Sequence, residues 1–395
     1  MPDTIKNVGV IGLGVMGFDI AFLYAMKGYA TRVYDSAPSA LELVSRRKNQ
    51  AVERLSKRHR ISGDEIKSVE ANLLTARSLA DLRDVDLITE AVSEDERTKT
   101  ELYREVAAAG FRGILTTNTS SIPRENLLSS GALPRSIFAT THFFNPVLYT
   151  QMVELVRGDM DRAAFATILD FLKSLGRSPV ETRDISGFVS NSILMFYAVM
   201  ALRLLEAGGR IQQIDAVTRA LKMLPPFVSF DSWRPSIVAD VTRIMDEIRG
   251  DRFLRSSRLL PIIARENPKF YVDQKPNETL SEIARKGEQT LDDDSIRRAL
   301  DCSIRIAAVR SVELGESPAV VDFIATEGLK LPLAPCNALD KSGASREIEN
   351  LTRVNRTIGG DPLSPPSLLQ AMAAANETFF KEGKPNPWLS PPRTD

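Results

Sequence analysis

A hydroxyl, an imidazole and a carboxylate stand close together in one stretch of the chain. Ser120 lies in Asn118-Thr119-Ser120-Ser121, His142 in Thr141-His142-Phe143-Phe144-Asn145-Pro146, and Glu154 in Met152-Val153-Glu154. The chain has 2 histidines in all, so a histidine placed here carries information. Residues 137–141 read as a strand that delivers His142 at its end, Pro146 breaks the run, and residues 152–156 are apolar and β-branched enough to return as a second strand. His142 and Glu154 could then face each other across a hairpin-like connection. An imidazole titrates near about pH 6.5, which suits it to take a proton from an alcohol, and a carboxylate on its other nitrogen fixes the tautomer and steadies the imidazolium. Plainer readings stand beside this one. His142 could be a structural histidine at a strand end, Glu154 a surface carboxylate, and Ser120 the cap of a helix starting near Pro123 with Glu125 in its first turn. The arrangement, not any single residue, points to acid–base chemistry. His59, between Arg58 and Arg60, reads as part of a solvated helix face.

The elements that must position these groups begin near the N-terminus. Val8-Gly9-Val10-Ile11 is a buried-type strand, and Gly12-Leu13-Gly14-Val15-Met16-Gly17 follows at once, opening a helix that runs to about residue 27. In that setting Gly12 permits a tight turn, Gly14 lets backbone approach a pyrophosphate, Gly17 lets helix and strand pack closely, and the helix N-terminus faces the negative charge. A second strand, Thr31-Arg32-Val33-Tyr34, ends in Asp35. A carboxylate there accepts hydrogen bonds from the ribose hydroxyls and repels a 2′-phosphate, which favours NAD over NADP. Residues 39–67 read as helical and strongly basic, either solvated faces or in part a phosphate-binding patch. Strands at 85–90 and 113–117, a helix carrying Lys99 between them, a helix at 161–175 and a strand at 178–182 continue the alternation. Such alternation implies a parallel sheet with ligand at the carboxyl ends of its strands, so Ser120, His142 and the glycine loop would share one edge.

Beyond Arg183 strand character largely ceases and long apolar helices begin. Asn191 enters the first of them, either as a cap or as a donor to a substrate oxygen. Glu206, Gly208, Ile214-Asp215 and Pro225 reappear at an offset of 107 residues as Glu313, Gly315, Val321-Asp322 and Pro332. Residues 267–287 are polar and read as a connector, and the proline-rich tail after Lys381 reads as extended. The expected fold is an α/β Rossmann-type dinucleotide-binding domain over residues 1–184, followed by an all-α domain present as a tandem repeat, 185–290 and 291–395, the second copy structural.

Composition narrows the partners. Lys plus Arg and Asp plus Glu balance at 51 each, which gives no general electrostatic case for nucleic acid or an anionic membrane. Cys302 and Cys336 are too few for a disulfide scaffold and sit in no paired-thiol or metal-type spacing, and no metal site is expected. With no basic-then-apolar leader, and with a longest apolar run, 193–202, far below the roughly 18 residues of a membrane span, the expected compartment is the cytoplasm.

The glycine loop, the Asn118-Thr119-Ser120-Ser121 run and above all His142-Phe143-Phe144-Asn145-Pro146 with Glu154 resemble the motifs of the L-3-hydroxyacyl-CoA dehydrogenases, and the likeness covers nearly the whole chain. The resemblance implies NAD as cofactor, an acyl-CoA thioester as substrate, His142 as base, Glu154 as its orienting partner, and Ser120 and Asn191 on the reacting oxygen. It further implies cofactor contacts at Gly12, Leu13, Gly14, Val15, Met16, Gly17 and Asp35. Glu94, Lys99, Ser120 and Asn145 fall where the family meets the cofactor, the nicotinamide half in the case of Glu94, Lys99 and Asn145, and Arg58 near a basic residue that meets coenzyme A. A duplicated helical domain resembles the dehydrogenase part of the multifunctional fatty-acid oxidation enzymes, and the second copy could take the place of a dimer partner, leaving a monomer or weak homodimer. The departures gather in the substrate domain: Ser186 replaces a usual proline, Ser192 a usual arginine, and Met223-Leu224-Pro225-Pro226-Phe227 with Trp233 a glycine-rich turn. They imply a rebuilt acyl pocket around retained chemistry. Two other readings stay open: a related dehydrogenase of a free hydroxy acid, and a catalytically silent NAD-binding protein.

Overall fold

Short apolar runs such as Ile114–Thr117 and Phe138–Phe143 are buried along their whole length, as strands covered on both faces by helices must be. The computed structural model describes residues 4–284 and 290–389; the readings that touch residues 1–3, 285–287 and the tail prolines Pro391 and Pro392 lie outside them. The chain divides into two units between Asp184 and Ile185.

The first unit carries strands β1 Asn7–Ile11, β2 Ala30–Tyr34, β3 Leu73–Thr75, β4 Leu87–Glu90, β5 Ile114–Thr117, β6 Phe138–Phe143, β7 Met152–Val156 and β8 Ser178–Glu181. They form one sheet in the order β3-β2-β1-β4-β5-β6-β7-β8. Every neighbouring pair is parallel except β6 and β7, which run antiparallel. Helices α1 Val15–Met26, α2 Pro38–Glu42, α3 Val44–Ser56, α4 Gly63–Asn72, α5 Glu96–Ala108, α6 Arg124–Leu128 and α7 Arg162–Ser174 connect and flank the strands. Helix α7 begins where the Asp161 carboxylate accepts from the backbone N–H of Ala163 and Ala164, and its Phe165, Ile168, Phe171 and Leu172 are buried at helical spacing.

Two readings of this unit need correction. The basic stretch expected as helix over 39–67 is three helices: α3 ends at Ser56, and Ser62 with Glu65 forms a capping box that starts α4. His59 therefore lies in an exposed turn, with φ at +51°, and not on a helix face. Nor does Ser120 cap a helix. α6 starts at Arg124, and the Asp184 carboxylate caps it by accepting from the N–H groups of Arg124 at 2.8 Å and Glu125 at 3.1 Å.

The second unit contains α8 Ser190–Glu206, α9 Ile211–Ala220, α10 Pro226–Trp233, α11 Pro235–Arg249, α12 Leu260–Glu266, α13 Glu278–Ala284, α14 Asp293–Glu313, α15 Pro318–Phe323, α16 Pro335–Ser342, α17 Ala344–Ile358 and α18 Ser367–Ala375. Helix α8 is buried on nearly every side, as an all-round apolar sequence requires, and its most extensive packing is along α14. One arrangement occurs twice. Asp215 in α9 accepts from the N–H groups of Phe227 and Val228 in α10, and Asp322 in α15 accepts from those of Cys336 and Asn337 in α16. Asp231 then receives the N–H groups of Phe270 and Tyr271, and Asp340 those of Phe379 and Phe380. Lys222 and Lys330 turn the chain at matching positive φ, +58° and +56°.

The segment read as a connector is instead ordered by those aspartates into a small hairpin, Tyr271–Val272 with Lys275–Pro276, followed by α13. The tail is likewise not simply extended: Phe380–Lys381 pairs with Lys384–Pro385 and a tight turn follows at Pro387–Leu389. The boundary expected at residue 290 falls inside this one unit. No helix among the described residues is long and apolar enough to cross a membrane.

Candidate active site

The antiparallel ladder between β6 and β7 sets His142 opposite Glu154 in register. Residues paired in this way project on the same face with their Cβ atoms close together. The His142 Nδ1 lies 2.8 Å from Glu154 Oε2, and both side chains are buried, Glu154 completely. The Phe144 ring packs against the imidazole at 5.5 Å between centroids. Nδ1 is thus committed to the carboxylate, which leaves Nε2 as the nitrogen suited to exchange a proton with a ligand.

The hydroxyl-rich run follows β5. Asn118 Oδ1 accepts from the Phe143 N–H at 2.9 Å, which ties the ends of β5 and β6 together. Glu94 Oε1 gathers the loop after it, accepting from the Thr119 and Ser121 hydroxyls and from the N–H groups of Ser120 and Ser121 at 2.7 to 2.8 Å. Burial pushes the Glu94 carboxyl up, yet Lys99 and these donors outweigh it and hold the group below its ordinary range. Lys99 is fully buried, 2.6 Å from Glu90 and 3.8 Å from Glu94. Asn145 is exposed at the end of the same edge, before a cis peptide bond to Pro146.

The loop from β1 into α1 fits a dinucleotide. Gly12 has φ at +90°, and a Cβ there would meet the Ala91 carbonyl oxygen at 2.7 Å; a Cβ on Gly17 would meet the Gly12 carbonyl oxygen at 1.9 Å. Gly14 faces open space and α1 begins with no side-chain cap, so its first N–H groups can meet an anion. Leu13 is buried, Met16 half-buried and Val15 exposed. The Asp35 carboxylate, at the end of β2, accepts from the Leu13 N–H at 2.7 Å and the Ala37 N–H at 2.9 Å, which fixes it beside the loop.

Three features were not singled out by sequence reading. Arg47, one of the basic run, donates to the carbonyls of Leu13 and Gly14 and lies over the Phe18 ring. Glu90 binds Lys99, Tyr103 and Thr117 at once; a carboxylate closing a buried strand, as Asp35 does, was its only signal. Arg58 and Arg60 both face the Tyr149 ring, at 5.4 and 5.1 Å, so the candidate Arg58 belongs to a basic and aromatic patch.

In the second unit Asn191 sits half-buried in the first turn of α8. Ser192, beside it, accepts from Arg249 Nη1 at 2.8 Å, and the same nitrogen reaches the Ser186 carbonyl at 3.4 Å. Burial pulls the Arg249 guanidinium down to about 10. Pro225 caps α10 and Pro226 is its first residue, which stiffens the entry to the helix that ends at Trp233.

Residues 7–185 match the family model described as the NAD binding domain of 3-hydroxyacyl-CoA dehydrogenase. A 3-hydroxybutyryl-CoA dehydrogenase of Mycobacterium tuberculosis is 34% identical over 220 residues, 54% of this chain and 77% of that one. The fatty acid oxidation complex subunit alpha of Shewanella amazonensis is 26% identical across 96% of this chain, which spans 57% of that protein. Among solved structures, the 3-hydroxybutyryl-CoA dehydrogenase of Escherichia coli shares the fold, with a TM-score of 0.75 at 19% identity over 94% of this chain and 99% of that one.

Proposed function

This chain belongs to the L-3-hydroxyacyl-CoA dehydrogenase family, and from that premise we propose that it oxidises the 3-hydroxyl of an L-3-hydroxyacyl-CoA to the 3-oxo group with NAD, reversibly, on a non-standard acyl group that is bulkier or functionalised. The observation that carries the reading is the buried 2.8 Å contact of His142 with Glu154 at the sheet edge that also bears the Ser120 run. NAD, when bound, supplies the hydride acceptor. His142 takes the hydroxyl proton at Nε2 while Glu154 holds the ring and stabilises its positive charge, and in reduction the same nitrogen returns the proton. Ser120 and Asn191 are assigned to the reacting oxygen, Asn191 on the resemblance alone. Arg58, with Arg60 and Tyr149, is assigned to the coenzyme A moiety, whose phosphates and adenine match a basic and aromatic patch in chemistry.

Asp35 is assigned to cofactor selection. NAD is expected to bind at least about tenfold more tightly than NADP, about 1.4 kcal/mol, because a 2′-phosphate would lose the ribose hydrogen bonds and meet a carboxylate. Separate titrations of the two cofactors check this, and equal affinities would remove the assignment.

The acyl preference follows from the 221–233 segment. A proline-stiffened entry to α10 and a half-buried Trp233 stand where the family resemblance implies a glycine-rich turn, and we assign this segment to the wall of the acyl pocket. Following NAD reduction against a panel of linear, branched and cyclic 3-hydroxyacyl-CoA esters, with the free acids alongside, should show the larger esters ahead of 3-hydroxybutyryl-CoA. A best rate on the butyryl ester would refute the acyl preference, and equal rates on the free acids would refute the thioester.

Cys302 and Cys336 are both buried with free thiols, in keeping with a reducing compartment, and we assign the protein to the cytoplasm.

A further inference from the structure

We propose that the buried Glu90–Lys99 pair tunes the cofactor end of the site, shifting its relative affinity toward the oxidised cofactor. The inference rests on the NAD reading above, with Glu94 beside the nicotinamide; Lys99, which the resemblance also places at the cofactor, is fully buried behind Glu94.

Glu90 closes β4, between the strand that delivers the glycine loop and the strand that delivers the Ser120 run, and it stands in register with Ile11 on one side and Thr117 on the other. It is completely buried, and protein donors occupy both of its oxygens. Oε1 accepts from Lys99 Nζ at 2.6 Å and the Val92 N–H at 2.5 Å, and Oε2 accepts from Tyr103 Oη and Thr117 Oγ1 at 2.7 Å each. A carboxylate so engaged has no part in touching a ligand. Its effect must pass through Lys99, whose ammonium also meets the Val92 carbonyl at 3.3 Å and Glu94 Oε2 at 3.8 Å.

Glu94 is the member of the trio that meets the site: its side chain is 23% accessible, whereas those of Glu90 and Lys99 are at zero. Two carboxylates against one ammonium leave the cluster with a net charge of minus one. Without Glu90, Lys99 would neutralise Glu94. With Glu90 taking the shorter contact, Glu94 keeps negative character toward the site. The nicotinamide ring is positively charged when oxidised and neutral when reduced, so the unbalanced charge acts on one redox form only, and in a site of reduced dielectric it acts strongly.

The test is to titrate the full-length protein separately with NAD+ and NADH by calorimetry. In Glu90→Gln the NAD+ dissociation constant should rise about tenfold, as expected for loss of one nearby charge, while that for NADH moves less than about threefold. Lys99→Met, which removes the positive charge, should move the ratio of the two constants in the opposite direction, and it carries the test alone if Glu90→Gln does not fold. An unchanged ratio in the folded variant, or an equal loss of affinity for both forms, would mean that the pair is merely structural and would overturn the proposal. Failure of the parent protein to bind either cofactor would instead overturn the NAD reading.

Discussion

Replacing His142 by Gln is expected to cut turnover by about 10²–10⁴-fold while leaving the affinity for NAD nearly unchanged. The magnitude is that of a lost general base. The selectivity follows from geometry: the imidazole is engaged with Glu154 across the β6–β7 ladder, whereas the glycine loop and Asp35 lie at β1 and β2, on the other side of β4 and β5. A glutamine fills a similar volume and can still hydrogen bond Glu154, so the fold should hold and the loss should appear in kcat rather than in cofactor binding. Glu154→Gln should do smaller damage of the same kind and displace the pH profile, because the carboxylate no longer stabilises a protonated ring. Steady-state kinetics with parallel NAD titration decides the matter. Near-normal turnover in His142→Gln would rule out the proposed proton transfer.

The second large effect concerns the helical unit. A chain ending at residue 290 is expected to aggregate or to dimerise anew, with a loss of stability exceeding any direct effect on chemistry. Helix α8 has no polar face to turn outward: Ile193, Phe196, Val199, Met200 and Leu204 are each at most 1% exposed, and α14 is its principal neighbour. Exposing a single side chain of this size costs about 1.5–3 kcal/mol, and a domain is stable by only about 5–15 kcal/mol in total. Three or four such side chains would cost about 5–12 kcal/mol, a sum on the scale of the whole margin. Removal of α17 and its C-terminal loop also strips Arg203, buried in α8, of the carbonyls of Ile358, Gly359 and Asp361 that it binds. We propose that the second half of this unit fills the place a partner subunit would otherwise take, so that the intact chain is a monomer or weak homodimer. Light scattering on a sizing column, with a thermal melt, tests both statements. A soluble monomeric truncation that melts like the parent would refute them.

The first unit was legible in its sequence because its signals are local. A strand followed at once by Gly12, Gly14 and Gly17, and a second strand closed by Asp35, need no distant partner to be read. His142 and Glu154 could be placed opposite each other because Pro146 marks the turn between two apolar runs and the pair is only 12 residues apart. What escaped was held from afar. Asp184 caps a helix 60 residues earlier in the chain, and Glu90 gathers Lys99, Tyr103 and Thr117 only because strand order brings β4 beside β5. The hairpin at 271–276 looked like polar linker and that at 380–385 like the start of an extended tail for the same reason, since Asp231 and Asp340, some 40 residues away, supply the acceptors that order them. At His59 the miss was local: helical charge patterning continued through a residue that takes positive φ.

The single antiparallel pairing in the sheet bears on how this chain can vary in length. Because β6 and β7 run in opposite directions, the segment 144–151 joins them directly, and its length together with the ladder sets which residues face each other. The segment also carries Phe144, packed on the His142 ring, and the candidate residues Asn145 and Tyr149, so the site itself constrains its length. Inside either strand, a shift of one residue turns every following side chain to the opposite face of the sheet. Deletion of one residue within 140–143 or 153–156 should therefore part His142 from Glu154 and abolish turnover, which steady-state kinetics on such a variant would show.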